Sequence, residues 1–230
     1  NGFELKQFSS GNRENARRAL GFGNDVFLVA WVGRMVPVKD VHLLASVARK
    51  AAESRNKICF LIVGDGTEKP ALEAMTQGCD NIRLLGWRQD MAPIWSAADV
   101  ALLTSRNEGT PTALIEAMAA GLPFVTTDVG GVRDLALAPF EDLPDGMGCK
   151  AANGFLTPRT SEALLHCIER IARDAEAARR MGSLGRDFAL QTFSVRRQVE
   201  EISQLYNRLL TQSRTAPSVS AGRTKREVAS

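Results

Sequence analysis

Apolar residues in this chain gather in compact runs separated by segments with helical spacing. Val26–Val32 (VFLVAWV) is β-branched and aromatic and stops at Gly33, which predicts a first strand. Val41, Leu44, Ala45, Ala48 and Ala52 then recur at helical intervals, with Asp40 placed to cap them. Ile58–Val63 (ICFLIV) predicts a second strand, ended by Gly64-Asp65-Gly66, and a short helix is expected around Pro70–Gln77. Ile82–Leu85, Val100–Leu103 and Leu122–Thr126 read as three further strands. Helices are expected between them, at Met91–Ala97 with Asp90 as cap and at Thr112–Ala120. Phe155–Leu156 reads as a short sixth strand. Beyond Thr160 the pattern is helical, in pieces Ser161–Met181 and Gly182–Thr192. A last helix, capped by Ser194, aligns Val195, Val199, Ile202, Tyr206 and Leu209 in one stripe.

Continuous apolar strands, each followed by a helix, indicate a parallel sheet covered on both faces. The expected fold class is therefore α/β, a doubly wound, Rossmann-like parallel sheet with a helical C-terminal extension. Its crossovers should be right-handed, and its ligands should lie at the carboxyl ends of the strands. Those ends are Gly33-Arg34, Gly64-Asp65-Gly66, Gly86-Trp87 and Ser105–Glu108.

Composition narrows the function. The 230 residues are 44% hydrophobic and 24% charged, ordinary for a soluble globular chain and unlike a disordered chain, a collagen or a disulfide-stapled miniprotein. The net charge of +3 resides at the end, where Arg214, Arg223, Lys225 and Arg226 face only Glu227. The body, residues 1–211, balances to zero, so no basic surface exists to coat nucleic acid. Residues 212–230 read as a disordered basic tail, solvated or touching anionic lipid. No run approaches the roughly 20 apolar residues of a membrane span. Asn1-Gly2-Phe3-Glu4 has none of the features of a signal peptide. The expected location is cytoplasmic, with a peripheral position at the inner membrane face as the variant the tail allows. Cys59, Cys79, Cys149 and Cys167 have no C-x-x-C spacing, and His42 and His166 join no cluster. Reduced thiols and no metal site are expected.

Several phosphate and nucleophile signatures are missing. Gly64-Asp65-Gly66 begins a dinucleotide fingerprint, but Lys69 stands at its third glycine position. There is no G-x-x-x-x-G-K-[ST] and no G-x-S-x-G. The richest segment is Ser105–Gly131, SRNEGTPTALIEAMAAGLPFVTTDVGG. Thr110 is placed to cap a helix with Pro111 at its first position, and Gly121 and Pro123 stop it. The N-terminus of that helix would lie at the ligand edge of the sheet, where free N–H groups and the helix dipole favour phosphate. Glu108 just before it and Glu116 within it would repel phosphate but suit hydroxyl donors. On spacing alone, a solvated Glu108 and a helix-surface Glu116 fit equally well.

This segment resembles the E-x7-E motif of retaining glycosyltransferases of the GT-B fold, particularly glycosyltransferase family 4, with Glu108 and Glu116 at its two acids. Arg34 and Lys39, in VGRMVPVKD, match that family's G-R-x-x-x-x-K pattern. Gly64-Asp65-Gly66, Gly86-Trp87, Ala98-Asp99-Val100 and Asn153-Gly154-Phe155-Leu156 resemble further elements in the family's order, from Asn1 to about Leu210. The resemblance implies a donor-binding domain for a sugar nucleotide, a UDP- or GDP-sugar, with no cofactor. It implies that Arg34 and Lys39, beside Gly33, neutralise the diphosphate and the charge that develops on the leaving group. Glu116 would accept the ribose hydroxyls, and Glu108 would lie near the anomeric centre. Backbone groups of Gly109, Thr110, Pro111 and Thr112 would meet sugar and phosphate, Gly33, Gly64 and Gly66 would belong to the donor-binding set (a tight turn alone fits Gly64 and Gly66 equally well), and main chain at Trp87 and Arg88 would border the base. Trp87 itself fits a core position equally well. Transfer with retention, by same-face attack assisted by the departing phosphate, is the implied chemistry.

The chain departs from the family in three places. Asp40 follows the lysine where Gly is frequent, Thr112 replaces a frequent Gly or Asn, and Ala136–Ala152 is longer than usual. Asn1-Gly2-Phe3-Glu4 resembles the domain junction, so the resemblance implies an acceptor-binding half outside this chain. The last helix would then offer its apolar stripe to that half or to a second copy. Two other readings share the fold: a non-catalytic nucleotide-binding or assembly module, and a nucleotide-sugar epimerase or a phosphorylase.

Overall fold

The computed structural model describes residues 3–8, 11–53 and 57–215. The elements run α1 (Arg13–Ala19), β1 (Phe27–Val32), α2 (Val41–Ala52), β2 (Ile58–Val63), α3 (Lys69–Met75), β3 (Ile82–Gly86), α4 (Ala92–Ala97) and β4 (Val100–Leu103). There follow α5 (Thr112–Ala119), β5 (Phe124–Thr127), β6 (Glu141–Asp142), β7 (Cys149–Ala151), β8 (Gly154–Thr157), α6 (Ser161–Arg173), α7 (Ala175–Thr192) and α8 (Val195–Thr215). The strands form one sheet in the order β3-β2-β1-β4-β5-β8-β7-β6.

The sheet is parallel from β3 to β8, as the apolar runs require. It is not parallel throughout. β6 and β7 add an antiparallel edge built by the long segment before Asn153. Alternation along β1 shows how both faces are covered. Val29 and Trp31 join a cluster with α2 and α6, while Ala30 joins Trp95, Leu114 and Ile115 on the opposite face. Each large side chain buried this way contributes about 1.5–3 kcal/mol.

Three local features differ from the pattern-based expectation. α1 escapes the hydrophobic pattern, because its buried residues are only Ala16 and Arg17. That guanidinium donates to the carbonyls of Gly23, Val26 and Ala97 and to Asp99, so its burial is fully paired. Asp99 also accepts the Leu28 N–H, which gives the Ala98-Asp99-Val100 element a structural role at the lower edge of the sheet. The helical break falls at Asp174, whose carboxylate caps α7 through the Ala177 N–H at 2.9 Å, not at Gly182. Gly182 lies inside α7, where a Cβ would stand 1.9 Å from the Gly121 carbonyl oxygen. Its glycine serves close helix packing against the end of α5 rather than a chain break.

Helix α8 reaches Thr215; the remaining tail, residues 216–230, lies outside the described residues. Val199, Ile202, Leu205, Tyr206 and Leu209 are all exposed along α8. The start of the chain meets the start of this helix, with the Phe3 N–H donating to the Phe193 carbonyl at 2.8 Å. Among the described residues no helix is long and apolar enough to cross a membrane.

Candidate functional site

The sheet order reverses between β1 and β4: from β1 the chain moves outward to β2 and β3, then returns to the other side for β4 and β5. Loops at such a switch point diverge and leave a crevice at the carboxyl ends of the strands. A cleft of about 620 Å³ occupies that place. Gly33, Arg34 and Lys39 line it from β1, Gly64 and Asp65 from β2, and Trp87 and Arg88 from β3. Glu108 lines it from the loop after β4, and Thr110, Pro111, Thr112 and Glu116 from the entry and body of α5. Eleven of the thirteen residues proposed from sequence thus share one cleft; Gly66 and Gly109 stand outside its lining.

The loops that carry these residues are fastened to one another. The Trp31 indole N–H donates to the Thr104 hydroxyl at 3.1 Å, and that hydroxyl donates to the Lys39 carbonyl at 2.8 Å. The Arg106 N–H donates to the Val38 carbonyl at 2.7 Å. The Thr127 hydroxyl donates to the Ser105 carbonyl at 2.7 Å, which ties the β4 loop to β5. Gly64, at φ +140°, lets the β2 loop touch the β1 loop, since a Cβ there would lie 1.9 Å from the Gly33 carbonyl oxygen. Gly66 does the same against Met35, which explains its place outside the lining.

Asp40 explains one departure from the family pattern. It takes the left-handed conformation, φ 51°, which suits glycine and which aspartate tolerates. It then uses its side chain. The carboxylate caps α2 at the Leu43 N–H and binds Arg159 at 2.7 Å and Arg106 at 3.2 Å. Burial pushes this carboxyl up, but the bonds from Arg159, Leu43 and Arg106 outweigh that and hold it below its ordinary value. Asp40 thereby fixes the turn that presents Lys39.

Inside the cleft, Lys39 Nζ lies 2.5 Å from Glu108 Oε1, which also accepts the Ser105 hydroxyl at 2.5 Å. Arg34 is exposed and forms no ion pair among the described residues. Glu116 is half-buried in the wall of the cleft, and its Oε2 accepts the Trp95 indole N–H at 3.0 Å. Burial raises the Glu116 carboxyl above its usual range, partly opposed by the Trp95 bond. Trp87 is not in the core: it is 70% exposed and lines the cleft.

The entry to α5 corrects another expectation. Thr110 does not cap it. Pro111 occupies the cap position with no side-chain hydrogen bond, and the helix begins at Thr112. The first N–H groups of α5 are therefore left without a side-chain cap at the cleft, as an anion site requires.

Spacing alone missed Ser105, Trp95, Gly130 and Gly131. Gly131 donates its N–H to the Glu108 carbonyl at 2.9 Å. A Cβ on Gly130 would lie 2.1 Å from that same oxygen. The Gly130-Gly131 pair after β5 was the one legible signal for this contact, since adjacent glycines at a strand's carboxyl end mark close backbone approach.

A mostly parallel α/β sheet with this cleft at its switch point has the architecture of GT-B glycosyltransferases. Among solved structures, Anabaena HepE in complex with UDP and glucose superposes with a TM-score of 0.75 at 25% identity, covering 90% of this chain and 55% of that one. The family described as "Glycosyl transferases group 1" matches residues 26–174, and the chain belongs to it. It is 29% identical over 216 residues to an Escherichia coli UDP-Gal:alpha-D-GlcNAc-diphosphoundecaprenol alpha-1,3-galactosyltransferase, covering 90% of this chain and 52% of the relative. It is 31% identical over 220 residues to a D-inositol 3-phosphate glycosyltransferase of Saccharomonospora viridis, at 89% and 48% coverage. The chain spans about half the length of the curated relatives it matches.

Proposed function

We propose that this chain is the donor-binding half of a retaining glycosyltransferase, which moves a sugar from a nucleoside diphosphate to an acceptor hydroxyl. The observation that carries the reading is the single cleft in which Arg34, Lys39 and the open start of α5 stand beside two carboxylates. The cations and N–H groups suit a diphosphate, and the carboxylates suit sugar hydroxyls. The solved relative holding UDP and glucose supports the same ligand class.

In this reading Arg34 and Lys39 hold the diphosphate, and Glu116 accepts the ribose hydroxyls. Glu108, held by Lys39 and Ser105, faces the transferred sugar. The bond from the anomeric carbon to the phosphate oxygen breaks as the acceptor oxygen attacks on the same face. The acceptor's proton passes to the departing phosphate. Fixed positive charge at Lys39 and Arg34 stabilises the charge that develops there. A second half supplies the acceptor site, and the exposed apolar stripe of α8 is a surface suited to it. Calorimetric titration with UDP, GDP and their sugars tests the site; a folded chain that binds none of them refutes the reading. Sugar transfer after adding the acceptor half separates an enzyme from a nucleotide-binding module.

The raised Glu116 carboxyl sets a pH dependence. Ribose recognition needs the ionised form, so UDP affinity is expected to fall as pH falls through that raised value. Stability has the opposite slope. Between the unfolded and the folded value the native state binds more proton, so Glu116 costs stability as pH rises through that window. Glu116→Gln is therefore expected to leave the melting temperature unchanged or raised, while UDP binds about tenfold or more weakly. Thermal melts and calorimetry from pH 4 to 8 measure both slopes.

Trp87 borders the base in this reading. Stacking on an exposed aromatic is worth roughly 1–3 kcal/mol per base. Trp87→Ala is expected to weaken UDP by about tenfold and leave pyrophosphate binding unchanged, as competition titrations would show. Equal losses for both ligands would remove Trp87 from the base site.

A further inference from the structure

We infer that Trp95 is a positioning residue for sugar-hydroxyl recognition: its buried indole N–H holds one oxygen of Glu116 and turns the other toward the cleft. The inference rests on the donor-site reading above and deepens it. Trp95 is 1% exposed and sits in α4 among Ile94, Leu114, Ile115 and Met118. Its ring is ordinary core. Its one polar atom is a donor that cannot accept, and burial obliges it to find a partner. The partner is Glu116 Oε2 at 3.0 Å.

That choice has a consequence for the carboxylate. Glu116 emerges from α5 on a flexible side chain, lines the cleft, and receives no other side-chain hydrogen bond from the described residues. Pinning one oxygen selects one orientation, and the second oxygen is left to accept from a ligand. A ribose diol, donating two hydrogen bonds, fits that acceptor edge; a 2′,3′-dideoxyribose, which has neither donor, does not. The indole bond also favours the ionised carboxylate against the burial that opposes it. The other charged groups lining the same cleft are Arg34, Lys39, Asp65, Arg88 and Glu108. None of them hydrogen-bonds Glu116.

The test is the selectivity of Trp95→Phe between ribose and 2′,3′-dideoxyribose. UDP and GDP are titrated with their 2′,3′-dideoxy forms against the full wild-type chain and the variant, at several pH values. Wild type is expected to prefer the ribonucleotide by about tenfold or more. The variant is expected to lose most of that preference while binding the dideoxynucleotide within about threefold of wild type. The pH at which its ribonucleotide affinity falls should also move upward. A merely structural defect would weaken both nucleotides alike and leave their ratio and the pH midpoint unchanged, which overturns the inference. A wild-type chain that binds neither nucleotide overturns the donor-site reading as well.

If the variant does not fold, the indole N–H resonance of Trp95 in the wild-type chain decides. It is expected to shift as Glu116 titrates and on addition of the ribonucleotide, and to respond little to the dideoxy form. A resonance indifferent to pH and to both ligands overturns the role of Trp95.

Discussion

Lys39→Met, in the chain joined to the proposed acceptor-binding half, is expected to lower kcat by about 10²–10³-fold, the cost of removing one fixed group proposed to stabilise leaving-group charge. Lys39 is the cation in the cleft that the structure holds in place. Its carbonyl is anchored by Thr104, and Thr104 by the fully buried Trp31. Its neighbour Asp40 is clamped by Arg106 and Arg159. Its ammonium is set 2.5 Å from Glu108. Arg34, by contrast, is exposed and without an ion-pair partner among the described residues, so its loss should act more on donor affinity than on turnover. Methionine keeps the volume and removes the charge. Because Glu108 is then left with only the Ser105 hydroxyl, stability should fall by about 1–3 kcal/mol. The double variant Lys39→Met with Glu108→Gln separates the two effects: it should regain the melting temperature without regaining turnover. Steady-state kinetics within tenfold of wild type for Lys39→Met would remove Lys39 from the chemistry.

Much of this arrangement was readable from the chain because parallel strands buried on both faces are written as unbroken apolar runs. β1, β2 and β4 fall within a residue of the runs that predict them. The lining of the cleft was readable for a related reason. The cleft is lined by residues that directly follow strands or open α5, so position along the chain translated into position in space. Arg34, Lys39, Glu108 and Glu116 meet for that reason, although nothing in the spacing showed that Lys39 would pair with Glu108.

What escaped the sequence has particular causes. α1 hides because a buried arginine breaks the apolar stripe that marks a helix. The β6–β7 edge has strands of only two and three residues, too short to show alternation. Gly182 signals a break in sequence and performs a close contact in space. Asp40 replaces the family's frequent glycine, keeps the left-handed backbone and adds three side-chain partners, a substitution whose compatibility is visible only in three dimensions. Trp95 is legible as core from its pattern, but its partner is 21 residues away across two elements.

Gly130→Ala is expected to keep the fold and lower turnover by about 10²-fold, the loss that a displacement of about 1 Å at a reacting group can cause. Gly130 has φ +51°, so alanine there carries a left-handed penalty of roughly 1–2 kcal/mol. The larger effect is steric. Its new Cβ would lie 2.1 Å from the Glu108 carbonyl oxygen and 2.8 Å from Asn107 Oδ1. The backbone that carries Glu108 must give way. The Gly131 N–H bond to that carbonyl and the Lys39–Glu108 pair then move with it. Backbone strain and displacement can be told apart with Gly78→Ala. Gly78 has φ +78° and nothing within 4 Å of a built Cβ, so it carries the strain without the collision. Gly78→Ala should lose a few degrees of melting temperature and Gly130→Ala more, and Gly78→Ala should keep donor affinity and kcat near wild type. Equal kinetics for the two variants would show that the Gly130 contact does not set the position of Glu108. A selective loss in Gly130→Ala would identify the turn after β5 as the support that holds Glu108 at the donor sugar.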